Sequence, residues 1–147
     1  MRLDQYITGA KITMSNYAVD PDGLFKFDGF HQVMVSTGTK TIYIAGQVAF
    51  DKDMSFIGKG DYKAQAVQVF QNIAIAAKAA GATPADVVTS VLYVKGLSSD
   101  AIQQVMTGMA TALDGKPFPA HAYNIVGVEK LSDPDVLLEV SAVAVID

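Results

Sequence analysis

Residues 87–128 read VVTSVLYVKGLSSDAIQQVMTGMATALDGKPFPAHAYNIVGV, and this stretch decides the fold. It opens on VVTSVLYVK, an apolar run rich in β-branched residues of the kind that forms a buried strand. Ser98 or Ser99 can cap the helix that follows, and Ile102, Val105, Met106, Met109 and Leu113 recur at helical spacing along it. Asp114 and Gly115 stop that helix ahead of Pro117 and Pro119. From His121 to Val128 the chain is extended again, which gives strand, helix, strand. On the N-terminal side, Ala64, Val67, Phe70, Ile73, Ala74 and Ala77 form a second helical stripe that ends at Gly81, where a left-handed residue would close the helix. Thr83 and Pro84 then suit a short capped turn.

Further out, residues 30–36 (FHQVMVS) and 41–50 (TIYIAGQVAF) are expected to pair as a hairpin across a Thr-Gly-Thr-Lys turn. Residues 136–146 form a last strand, after a polar turn containing Ser132, Asp133 and Pro134, and a short strand is expected in the first dozen residues. The order strand, strand, helix, strand, helix, strand, strand is an α+β pattern over residues 1–147 as one domain. Two helices cannot cover both faces of a mixed sheet of about six strands. Both helices therefore belong on one face, and the other needs a partner, which a second copy of the chain would supply.

Half of the 147 residues are hydrophobic and 18% are charged, enough to build a core and too apolar for disorder. The net charge of −4 repels polyphosphate, so nucleic acid is not an expected partner. Without cysteine there is no disulfide, thiolate nucleophile or Cys-type zinc site. Nothing at the N-terminus resembles a signal peptide and no stretch has the apolar length of a membrane helix, which leads to the expectation of a soluble, cytoplasmic protein with no membrane partner.

The candidate chemistry is sparse. His31 and His121 are the only histidines, so a three-histidine zinc site is excluded. A site of both histidines with Glu139 lacks local ligand spacing, and no metal is expected. His121 suits a hydrogen-bonding or cationic role. Glu139 stands inside the apolar run VLLEVSAVAVI, where a carboxylate needs either donors from a neighbouring chain or a water-filled cleft in which it serves as a general base. Tyr123 shares the face of His121 by period-two alternation. The loops at 36–39 and 58–60 lack the spacing of a phosphate-binding motif, and no serine elbow is present.

TIYIAGQVAFD, QAVQVFQNIAIAAKAAGATPADVVTSVLYVKGL, FPAHAYNIVGV and LLEVSAVAV, taken together and in this order, resemble the Rid (reactive intermediate deaminase, YjgF, endoribonuclease L-PSP) family, with the likeness strongest over residues 30–146. The resemblance implies a chorismate-mutase-like α+β fold, assembled as a homotrimer around a barrel-like core, with small-molecule clefts between subunits. It also implies a hydrolase that deaminates imines and enamines without a cofactor. In that family an arginine in a Pro-Ala-Arg segment grips the substrate carboxylate and a glutamate of the last strand activates water. The glutamate matches Glu139, whereas the arginine position holds His121, and the only arginine in this chain is Arg2. The serine of a Ser-Gly-Gln motif is replaced by Ala45, ahead of Gly46 and Gln47; a family tyrosine falls near His31, and a common cysteine is Tyr123.

The resemblance thus makes Glu139 and His121 the expected catalytic pair, with Tyr123, His31, Gly46 and Gln47 binding substrate. The loss of the bidentate guanidinium points to a non-standard imine, enamine or related carbonyl derivative. The rival expectation is a non-catalytic trimer that binds a small metabolite; ribonuclease activity, known in the family, finds no support in this acidic composition.

Overall fold

The computed structural model describes the backbone at residues 5–7, 10–12 and 15–147, and side chains from Ser15 onward. Among the described residues eight strands and two α-helices follow in the order β1 (Gln5–Ile7), β2 (Ala10–Ile12), β3 (Asn16–Val19), β4 (Val33–Ser36), β5 (Lys40–Gln47), α1 (Tyr62–Ala79), β6 (Val87–Lys95), α2 (Ser99–Thr111), β7 (Ala122–Val128) and β8 (Leu138–Ile146). The main sheet is mixed, in the order β5-β8-β6-β7: β8 runs antiparallel to both β5 and β6, and β7 lies parallel to β6 with α2 as the crossover. Both helices pack on one face. With both helices on one side of a mixed sheet, this is an α+β architecture of the chorismate-mutase-like kind.

Local chemistry sets the helix ends. The Asp61 carboxylate accepts from the Ala64 N–H at the start of α1, and Ser98 accepts from Ala101 N–H at the start of α2. Gly81, with φ +84°, follows α1 at the predicted left-handed position. Thr83 and Asp86 form a reciprocal capping box around a single 3-10 turn at Pro84–Asp86. The two helices approach closely at Gly108, where a β-carbon would fall 2.6 Å from both the Ala66 methyl and the Lys63 carbonyl oxygen.

Between helices and sheet lies a core that includes Phe70, Ile73, Leu92, Val105, Phe118 and Leu138. Gln65 is fully buried in it and fully used. Its amide donates to the carbonyls of Gly58 and Asp135, each at 3.0 Å, and its oxygen accepts from Leu137 N–H at 2.9 Å.

The expected hairpin between residues 30–36 and 41–50 does not form. β4 pairs instead with β3, from Asn16↔Ser36 to Val19↔Val33, and β5 pairs with β8. The physical cause lies upstream: the Asp20 carboxylate takes the Gln32 N–H at 2.8 Å and the His31 ring at 2.7 Å, and so returns the chain beside β3. The N-terminal region holds two short paired strands, β1 and β2, where one was expected.

Candidate functional site

Strand register divides the candidate residues between two faces. On β6, Tyr93 is paired with Glu139 of β8 and Val126 of β7, while Ser90 is paired with Ala142 of β8 and Tyr123 of β7. Ser90 and Tyr93 are an odd number of residues apart, so these two rows project to opposite sides of the sheet. Burial agrees: Leu138, Val140 and Ala142 are covered by the helices, and Glu139 and Ser141 between them are half-buried on the bare face.

Glu139 therefore lies on the face that neither helix covers, with its carboxylate over Gly46 of β5. That face also carries Tyr43, which is 81% exposed, together with Val91, Ser141 and Val143, which line a shallow hollow of about 200 Å³. Among the described residues, no side chain or backbone N–H of this chain donates a hydrogen bond to the Glu139 carboxylate. Gln47 stands next to Gly46, and its amide donates to the Ala45 carbonyl at 3.1 Å. Glu139 and Gly46 are thus brought together, with Gln47 adjacent.

His121 is on the other side and has no exposed surface. Its Nδ1–H donates to the Pro119 carbonyl at 2.8 Å, since a carbonyl can only accept, and Nε2 of the neutral ring accepts from the Ser90 hydroxyl at 2.7 Å. Burial pushes its pKa below the ordinary 6.5, against a smaller opposing effect of the Pro119 bond. Phe118 and Tyr123 pack on the ring. Tyr123 is itself nearly buried, with Phe30 edge-on against it, its hydroxyl on the Met106 sulfur at 3.4 Å, and its pKa raised by desolvation.

The expectation that His121 and Glu139 face one cleft is therefore corrected. A side chain with no accessible surface cannot touch a ligand, and the sheet itself separates it from Glu139. His121 is a neutral, doubly hydrogen-bonded core group, and Tyr123 is its packing partner.

His31 takes a third position. Its backbone N–H donates to the His121 carbonyl at 3.0 Å, so the two histidines are neighbours in the backbone, but its ring turns to Asp20. The Gln32 N–H and the His31 ring hold the Asp20 carboxyl below its ordinary range. The loop between them carries Phe25, Phe27 and Phe30 with their rings stacked, and a groove of about 390 Å³ opens between Phe27, Met106, Met109 and Phe118 on the helix side, away from Glu139. Among the described residues no three His, Asp or Glu side chains gather as a metal site, and no helix is long and apolar enough to cross a membrane.

Two structural partners escaped the sequence reading. Ser90 had a signal, a lone hydroxyl on the inward row Val88, Ser90, Leu92, Val94. Asp20 had none, because its partners His31 and Gln32 lie across a loop that no local pattern closes.

The chain is similar to known proteins throughout this architecture. Residues 27–146 match the family model described as Endoribonuclease L-PSP. A RutC family protein of Pyrococcus abyssi is 36% identical over 103 residues, which cover 70% of this chain and 76% of the relative. Among solved structures, the Rid family protein YyfB of Yersinia pestis superposes with a TM-score of 0.80 at 30% identity, over 90% of this chain and all of that one. RidA of an Antarctic Psychrobacter gives a TM-score of 0.59 at 30% identity, over 76% of this chain and 87% of that one. With the sheet order, the helix placement and the glutamate of the last strand already in view, these matches make the chain a member of the Rid/YjgF, or endoribonuclease L-PSP, family.

Proposed function

We propose that the protein hydrolyses a small imine or enamine at the bare face of its sheet, with Glu139 as the general base. The observation that carries this reading is the setting of Glu139: a carboxylate on an uncovered face, seated on Gly46 and without a donor among the described residues of its own chain. Such a group is left free for water or for a ligand. The exposed Tyr43 and Val126 on the same face support its coverage by neighbouring copies, which would turn the surface into clefts between subunits of a homotrimer.

The chemistry asks little of the protein. A protonated imine carbon is already electrophilic; Glu139 takes a proton from the attacking water, the new C–O bond gives a carbinolamine, and its collapse breaks the C–N bond to release ammonia and a carbonyl compound. No cofactor enters this scheme. His121 lies too deep to replace an arginine clamp, so the substrate class shifts from 2-imino acids toward imines without a carboxylate to grip.

The test generates imines in situ with an amine oxidase and an amino-acid oxidase and follows imine loss. Glu139→Gln keeps shape and hydrogen bonding but removes the base, so turnover should fall by roughly 10²-fold or more, the scale of general-base catalysis. Full activity in that variant would overturn the assignment.

A further inference from the structure

We propose that Gly46 is a positioning residue for Glu139, a role that rests on the reading of Glu139 as the base. Glycine is normally kept for a left-handed backbone or for a close approach. Among the described residues six glycines have positive φ, among them Gly58 and Gly81, but Gly46 is not one of them. Backbone conformation therefore does not explain it.

Room does. A β-carbon at position 46 would fall 2.0 Å from Glu139 Oε1, 2.9 Å from its Cδ and 3.1 Å from its Cγ. The first of these is impossible without displacement, and all three belong to one side chain. The missing methyl is the seat of the carboxylate.

The strand is shaped for the same purpose. Pairing between β5 and β8 passes from Ile44↔Ala142 to Gln47↔Val140, so β5 spends one extra residue at Ala45–Gly46 opposite Ser141. A bulge of this kind bends its strand and re-aims side chains beside it. Here it draws the backbone of Gly46 under Glu139, which fixes the carboxylate from below while its upper side stays open to the bare face. Gly46 acts through Glu139 rather than on substrate, a different duty from the substrate contact that family resemblance assigns to it.

The experiment is a double-mutant cycle on the full chain, read both by urea midpoint and by imine turnover. The displacement falls on the Glu139 side chain alone, so Gly46→Ala should change the midpoint in the wild-type background differently from the Glu139→Ala background, where the displaced group is gone. With Glu139 present, the same substitution should lower kcat on the order of 10²-fold with KM within about twofold, the scale of a misplacement near 1 Å. An equal midpoint change in both backgrounds would show that glycine serves the backbone, and would overturn the proposal. If Gly46→Ala does not fold alone, recovery of folding in Gly46→Ala/Glu139→Ala supports it and failure of the pair refutes it. The midpoint arm needs no turnover, so absence of imine hydrolysis would sink the proposed reaction while leaving the seating of Glu139 separately decided.

Discussion

The two faces of the β5-β8-β6-β7 sheet are built by the same strands to opposite rules. On the helix side the buried His121 and Gln65 are both answered: His121 has Pro119 and Ser90, and Gln65 has three backbone partners. On the bare side Glu139 has been given a seat and no donor among the described residues. Burial without a partner is costly, so the closed face can hold polar groups only as finished networks, and such networks have no capacity left for a ligand. The proposed chemistry is accordingly assigned to the open face. The general lesson is that a buried histidine with both nitrogens engaged is a worse catalytic candidate than a half-buried carboxylate with none.

The comparison can be broken most forcefully from the closed side. Ser90→Ala removes the donor to His121 Nε2 and leaves a buried acceptor unpaired, at a cost of about 1–3 kcal/mol. Urea unfolding should show that loss while Glu139-dependent turnover per folded molecule stays unchanged; a large fall in turnover would tie the two faces together.

A smaller effect follows from pH. His121 has a folded pKa below its ordinary 6.5, so under acid the unfolded chain binds a proton that the folded chain resists. Stability from this group is therefore complete above about pH 6.5 and declines as pH falls from there toward the lowered folded value. Asp20, depressed from 3.8, adds its own loss only in more acidic solution. Urea midpoints at pH 7.5 and 5.5 should differ for the wild type and converge for His121→Gln, and an unchanged slope in that variant would remove His121 as the cause.

The smallest folding effect belongs to the open side. Tyr43→Lys alters a side chain that is 81% exposed, so stability of the isolated chain should move by no more than about 0.5 kcal/mol. The proposed trimer should nevertheless dissociate toward monomer in sedimentation, since a lysine there is costly to bury against a second copy. A variant that remains assembled would mean that the bare face is not the contact between copies.

What the sequence disclosed divides along the same line. Local signals were strong: the spacing of Val105 and Met109, the glycine at 81 and the apolar run at 87–95 fixed both helices and the central strand. Glu139 stood out as a lone charge among apolar neighbours. Non-local register was invisible. Alternation places Leu138 and Glu139 on opposite faces of one strand, but only pairing through β6 relates Glu139 to His121, and that pairing is set by contacts across the chain. The hairpin expected between β4 and β5 failed for the same reason, since Asp20 had already bound the segment to β3.

β8 lies between β5 and β6 in the sheet yet follows both in the chain, and Lys40 finds its partner only in Ile146. During synthesis at about 5–20 residues per second, β5 must therefore wait for roughly 5–20 s with neither edge paired. The unit of β6, α2 and β7 closes through near neighbours and can form while β5 is still idle. Completion of the sheet is an insertion of β8 into a gap, and the seat on β5 and the carboxylate of β8 come into existence in that single final event.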